Sequence, residues 1–302
     1  MIALRLLLSV ALLAGLTACG AEQAPTRAAK AELKYPEIKG KLTPLAVKLP
    51  KPGPNDWLTN HHEDGQTFEQ YLAARPVRRS EKLTTIYICL IGDFTPRQRE
   101  VLTATEKYLS SFFDAPVKER KTVALSDIPP RGERRTEGRH QILTTYVLGE
   151  VLGPDRPKDA LAYLAFTATD LYPKESWNFV YGQASLSERV GIWSIHRNGD
   201  PAESDEAYRL CLRRTLKTAG HETGHILTMQ HCIAFHCGMN GSNNRVESDA
   251  QPLAFCPVCY RKLCWNLQVQ PREHLLKLAK FCEEQKLTGE AAGFAKQAAA
   301  LK

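Results

Sequence analysis

The stretch His221-Glu222-Thr223-Gly224-His225, followed closely by His231-Cys232, places two imidazoles four residues apart with a carboxylate beside the first. Residues i and i+4 share one face of an α-helix, so His221 and His225 can hold a single metal ion together. Glu222 then reaches a water held in the open position of that ion. The helix this requires is legible upstream. Ser204 is a suitable N-cap, Asp205 and Glu206 complement the positive end of the helix dipole, and Tyr208, Leu212 and Leu216 recur on one face on the way to Leu227. Cys211, inside that helix, reads as a small core residue rather than a ligand.

Two imidazoles and a carboxylate so arranged are equipped for metal-assisted hydrolysis of a peptide bond. The metal, read as zinc, polarises the scissile carbonyl and acidifies its bound water. Glu222 takes the water's proton as general base and delivers it to the departing amine. An isolated HExxH can arise by chance in a charged helix, so its neighbours decide its weight. Cys232 and Cys237 follow at once, and Cys256-Pro257-Val258-Cys259 comes after a gap of sixteen residues from Met239. A CxxC knuckle with a second cysteine couple completes a closed tetrahedral structural zinc site, and two disulfides are the rival reading for an exported chain. Cys89, Cys264 and Cys282 read as core or terminal thiols, with a bridge between the last two as an alternative.

The 302 residues, 43% of them apolar, suffice for one substantial core with flanking segments. Arg5 followed by the apolar run from Leu6 to Leu16, too short to span a bilayer, has the profile of a signal peptide over residues 1–18. Leu16-Thr17-Ala18-Cys19 resembles the bacterial lipoprotein cleavage box, in which Cys19 becomes the lipidated first residue. With Gly20 next, that resemblance implies a membrane anchor, on the outer membrane facing the periplasm in a Gram-negative cell. An ordinary signal peptide with an incidental Cys19 is the plainer alternative.

Residues 19–48 are rich in Ala, Lys and Pro and are expected to form a tether. Residues 49–83 carry enough apolar mass in Trp57, Leu58, Phe68 and Tyr71 to pack on the domain surface, where they could cross the cleft. His61-His62 beside Asp64-Gly65 reads as a solvated turn rather than a pair occupying zinc. The net charge of +7, one unit of it from Arg5, is spread over clusters such as Arg78-Arg79. Without a coherent basic stripe this argues against a nucleic-acid partner.

From Thr84 onward the pattern is α/β. Thr85 to Ile91 reads as a buried strand, and Thr95, Pro96 and Gln98 open a helix with a capping box. Pro116 to Leu125 alternates like a strand, and a second helix is expected to end over Ile142 to Leu152. Strands are then expected at Leu161 to Thr167, Phe179 to Ala184 and Val190 to His196, giving a sheet packed by helices. Past Trp265, two short helices are expected as a packing appendage over residues 266–302, with Pro271 near the start of the first and Thr288-Gly289 between them.

From about Asp56 to Trp265 the chain resembles the archaemetzincins, a metzincin-clan family of zinc metallopeptidases marked by HExxHxxGxxHC, a CxM element and a downstream CxxC. Asp170-Leu171-Tyr172-Pro173 and Trp177-Asn178-Phe179-Val180-Tyr181-Gly182-Gln183-Ala184 are also similar to the family. The resemblance implies a metzincin-like mixed twisted sheet over residues 84–265, a zinc-binding active-site helix and a smaller zinc-stapled C-terminal subdomain. It implies two zinc ions per chain: a catalytic one on His221, His225 and His231, and a structural one on Cys232, Cys237, Cys256 and Cys259. It further implies Glu222 as general base, Met239 as the Met-turn beneath the metal, and Phe179, Val180, Tyr181, Gly182, Gln183 and Ala184 as the edge strand that takes a peptide or protein substrate. A monomer is expected.

Thr228 departs from the pattern, for it stands where the family has glycine. If the turn there needs positive φ, a β-branched residue is a costly occupant. A helix that simply continued would carry His231 about 120° round the axis from His225 at roughly 100° per residue, out of reach of the ion. Glu247, Asp249 or His236 would then supply the third ligand, and a catalytically weak or inactive protein that binds a peptide or envelope partner becomes the alternative function.

Overall fold

The computed structural model describes residues 35–136 and 138–302. The signal peptide expected over residues 1–18, the lipidation site Cys19 and the tether as far as residue 34 lie outside the described residues. The rest of the expected tether is not one. Helix α1 (Pro36–Leu42) buries Ile38 and Leu42 in the main core, and Lys41 Nζ donates to the carbonyl of Lys302.

β1 (Thr85–Ile91) turns Ile86, Ile88 and Leu90 to one apolar layer and Cys89 and Ile91 to another, as the two-residue period of a strand dictates. α4 (Pro96–Phe112) begins at the expected capping box, in which Thr95 and Gln98 satisfy each other's backbone amides, and returns the chain to β2 (Val117–Val123). β5 (Ala160–Thr167) is buried along its whole length, as a parallel strand covered on both faces must be. With β7 (Gly182–Ala184) and β8 (Val190–Ser194) these strands form a sheet in the order β2-β1-β5-β8-β7. The pairings β2-β1, β1-β5 and β5-β8 are parallel, and β7 runs antiparallel to β8 at the edge. At the opposite edge, the charged sequence of β2 discourages pairing with another chain.

A second, three-stranded sheet was not anticipated. The basic segment forms an antiparallel hairpin of β3 (Glu133–Thr136) and β4 (Arg139–Leu143), with β6 (Asp170–Tyr172) parallel to β4. The helix expected to end over Ile142 to Leu152 therefore starts only at α5 (Thr144–Tyr146) and continues as a π-helical turn, Val147–Leu152. Ile142 belongs to β4, because its strand pairing with Leu171 competes successfully with helical periodicity.

α6 (Asp205–Ile226) crosses the apolar layer on α4, with Ser204 accepting the Ala207 amide as cap and Leu212 and Leu216 fully buried. After it come α7 (Arg245–Ala250), α8 (Pro257–Leu267), α9 (Pro271–Glu284) and α10 (Thr288–Ala300). The C-terminal helices are less an appendage than part of the core. Leu275, Leu278, Phe281 and Phe294 are buried in it, and Phe281 lies 5.6 Å from the ring of Tyr108 on α4. Thr288 and Gly289 lie in the first turn of α10 rather than between the helices. Residues 49–83 also do more than pack on a surface. With short helices α2 (Trp57–Asn60) and α3 (Phe68–Ala73), they form a strap that buries Phe68 and Tyr71 and runs along the end of α6.

Candidate metal centre and its cleft

The decisive local event is the end of α6. Thr228 has φ 68°, and it occupies the position just past the helix that usually belongs to glycine. Thr228 N donates to His225 O at 2.7 Å and Met229 N to Gly224 O at 3.1 Å, the paired bonds of a Schellman motif. The left-handed residue reverses the chain and brings His231 back to the helix face. One ring nitrogen from each of His221, His225 and His231 lies within 4.8 Å of the others. Asp249 is instead paired with Arg214, and Glu247 accepts the backbone amides of Trp57 and Asn243. Neither they nor His236 join the converging atoms.

Outer hydrogen bonds fix how the rings face. His221 Nδ1 donates to Gly238 O at 2.9 Å and His225 Nδ1 to Met229 O at 2.7 Å. A carbonyl only accepts, so both rings carry their proton on Nδ1 and turn the Nε2 lone pair inward. These Nε2 atoms are 2.9 Å apart. Burial holds the pKa of His225 down at about 4 and that of His221 well below the ordinary histidine range, with mutual repulsion adding to it. Neutral rings with lone pairs face to face are a donor set that fits a cation.

Glu222, on α6 between the two ligand candidates, is buried, and desolvation pushes its carboxyl up to about 8. It lies under β7: a Cβ on Gly182 would come 2.8 Å from Glu222 Oε1, so only glycine lets the strand pass so closely. Met239 lies beneath the helix in the same sense, since a Cβ on Gly224 would meet its sulfur at 2.5 Å. The cleft in front measures about 1130 Å³ and is lined by the histidines, Glu222, β7, Lys217, Trp177 and the strap residues Trp57 and His61. Of the segment expected as edge strand, Gly182–Ala184 is regular strand, and Val180 makes only an isolated bridge to Leu171. Phe179 and Tyr181 are held under Arg197 and Arg245, while the Gln183 side-chain oxygen accepts from Thr144 Oγ1.

Sulfur atoms of Cys232, Cys237, Cys256 and Cys259 form a second cluster. Cys232 and Cys256 are 3.6 Å apart at sulfur, near the roughly 3.8 Å expected between thiolates on one tetrahedral zinc and far from the ~2 Å of a disulfide. Cys237 Sγ accepts the amides of Met239 and Cys256, and the CxxC sits at the positive end of α8; both favour thiolate, against the burial and crowding of sulfurs that raise the Cys237 and Cys259 thiols in the absence of an ion. Cys264 and Cys282 are free and buried.

Residues 158–264 match Peptidase family M54. Archaemetzincin-2 of Mus musculus is 34% identical over 265 residues, covering 76% of this chain and 73% of that protein. The chain belongs to the archaemetzincin family. Another archaemetzincin, from Thermococcus kodakarensis, is 37% identical over 136 residues, 43% of this chain and 70% of that one. The crystal structure of archaemetzincin from Methanopyrus kandleri superimposes with a TM-score of 0.51 at 26% identity, over 63% of this chain and 99% of its own. As an archaemetzincin the chain is a zinc metallopeptidase with the mixed α/β fold of that family. What the motif of this archaemetzincin did not disclose is the strap. His62 is solvent-exposed as a turn residue should be, but His61 stacks on Trp57 at 3.8 Å, and Glu63 points inward to His231. The apolar residues Trp57, Leu58, Phe68 and Tyr71 signal that this segment packs on the domain, but a run of histidine and acid beside Trp57 does not distinguish a loop on solvent from one folded over a cleft.

Proposed function

We propose that this archaemetzincin hydrolyses peptide bonds with Glu222 as general base, His221, His225 and His231 holding the catalytic zinc, and the four cysteines holding a second, structural ion. The observation that carries the reading is the convergence of three imidazoles beside a buried carboxylate under an edge strand. Zinc, when bound, supplies Lewis acidity to the scissile carbonyl and to a water, and its charge draws the Glu222 carboxyl back towards ionisation. Glu222 takes the proton of the attacking water and returns it to the amine, which its place between the histidines and β7 allows. Among the described residues no strand pairs with the outer edge of β7, along which an extended substrate backbone can add as a further strand. Lys217, buried one turn before His221 with Nζ on Ser248 O, lines the same cleft, and burial lowers its pKa to about 7.

The inactive alternative rested on Thr228, and the left-handed turn that Thr228 makes removes its motive. Cleavage of a mixed peptide library is expected to need zinc and to be lost in Glu222→Ala with the fold retained. Cleavage that survives in Glu222→Ala would overturn the assignment. The same proposal places the enzyme on the bacterial envelope through a lipid on Cys19, supported by the sequence Leu16 to Cys19. Cys19→Ala is expected to move it from the membrane fraction to the soluble one.

A further inference from the structure

Two of the three converging histidines are oriented by backbone carbonyls of the α6 turn and the cysteine loop. The third is not. His231 Nδ1 lies 2.7 Å from Glu63 Oε1, and Glu63 comes from the strap, outside the 158–264 match. We propose that Glu63 is a positioning residue for His231, holding the proton on Nδ1 so that Nε2 presents its lone pair to the zinc. The proposal rests on the zinc centre described above.

Four observations support it. The pair is mostly enclosed, with side chains 17% and 23% exposed, where a carboxylate and an imidazole interact more strongly than on an open surface. Among the described residues Glu63 Oε2 is buried beside the Trp57 side chain without a hydrogen bond of good geometry, an arrangement whose cost falls when a cation occupies the adjacent imidazole cluster. The ring of Trp57 stands edge-on to His231 at 5.2 Å, which limits its rotation. Finally, the strap is fastened to the turn it serves. Gln66 takes the Gln230 amide and gives a hydrogen bond to Thr228 O, and Tyr71 Oη donates to Leu227 O at 2.9 Å. Among the described residues the converging donor set contains imidazoles alone, so Glu63 acts through His231 rather than as a fourth ligand. Carboxylates behind ligating histidines commonly govern metal affinity by fixing tautomer and ring orientation.

The test is equilibrium competition for zinc between a chromophoric chelator and the folded full chain, for the native protein and for Glu63→Ala, Glu63→Gln and His231→Ala. Glu63→Ala is expected to weaken the histidine site about 100-fold, and Glu63→Gln about tenfold because its amide oxygen still accepts from Nδ1. Should Glu63→Ala fail to fold, the near-isosteric glutamine variant carries the test. A role limited to strap packing would lower the unfolding midpoint and leave the zinc dissociation constant of the folded protein unchanged. Native affinity in the Glu63 variants, with affinity lost in His231→Ala, overturns this proposal alone. Native affinity in His231→Ala overturns the zinc-centre reading beneath it.

Discussion

Thr228 can be perturbed in two opposite ways. Its left-handed backbone costs a non-glycine residue about 1–2 kcal/mol. Against that, Thr228 Oγ1 accepts the Val77 amide at 3.1 Å, a bond that glycine and valine both forfeit and that contributes about 1 kcal/mol net. Glycine also adds about 0.5–1 kcal/mol of backbone entropy to the unfolded chain. In Thr228→Gly the relief of strain is offset by these two losses, and stability should stay within about 1 kcal/mol of native. Thr228→Val keeps the branched shape and the strain but strands the partly buried Val77 amide, so it should lose about 1–3 kcal/mol. Bonds made by the backbone of residue 228, to His225 O and from Gln66, survive in both variants. Urea unfolding at a fixed excess of zinc, with equal m-values as a check, measures both changes. A valine variant as stable as native, or a glycine variant stabilised by about 2 kcal/mol or more, would refute the claim that the strap hydroxyl bond offsets the turn's strain.

Three further outcomes are expected. Gly182→Ala sets a methyl 2.8 Å from Glu222 Oε1, so kcat should fall on the order of 100-fold while zinc content holds, and an unchanged kcat would mean that β7 does not confine the carboxylate. Cys259→Ser should lose the cysteine-site metal and lower Tm on the order of 10 °C, whereas full metal content by mass spectrometry would argue against a four-thiolate site. His274, buried with Nε2 on Phe112 O, has its pKa depressed to about 4. The unfolded chain thus binds the extra proton first, and this residue's stabilisation, complete above pH 6.5, is lost as the pH falls towards 4, by about 3 kcal/mol in all. A His274→Gln variant should flatten that slope in urea titrations, and an identical pH dependence would exclude His274 as its source.

The motif-bearing parts were legible because their physics is local. Thr95 with Gln98, Ser204 with Asp205 and Glu206, and the i, i+4 histidines each specify a turn of helix without reference to the rest of the chain. β1 and β5 were legible because strands buried on both faces need unbroken apolar runs. The β3-β4 hairpin was hidden by its charge, since only partner strands, not periodicity, define it. α1 was hidden in a Lys- and Pro-rich segment where two residues, Ile38 and Leu42, do all the burying. Glu63 was the hardest to see: its partner is 168 residues away, and a carboxylate in a polar loop looks the same on solvent as over a cleft.

His231 and Cys232 are consecutive, and Cys232 N donates to Met239 O, so one peptide unit belongs to both ion-binding clusters. On the proposed two-ion reading, the strap and the Thr228 turn hold this peptide unit from the His231 side, and an ion on the thiolates would hold it from the Cys232 side. Filling the cysteine site first should then steady His231 for the histidine site. Zinc titrated into stripped protein should therefore yield little peptidase activity over the first equivalent and most of it over the second, a sigmoidal rise from a single polypeptide.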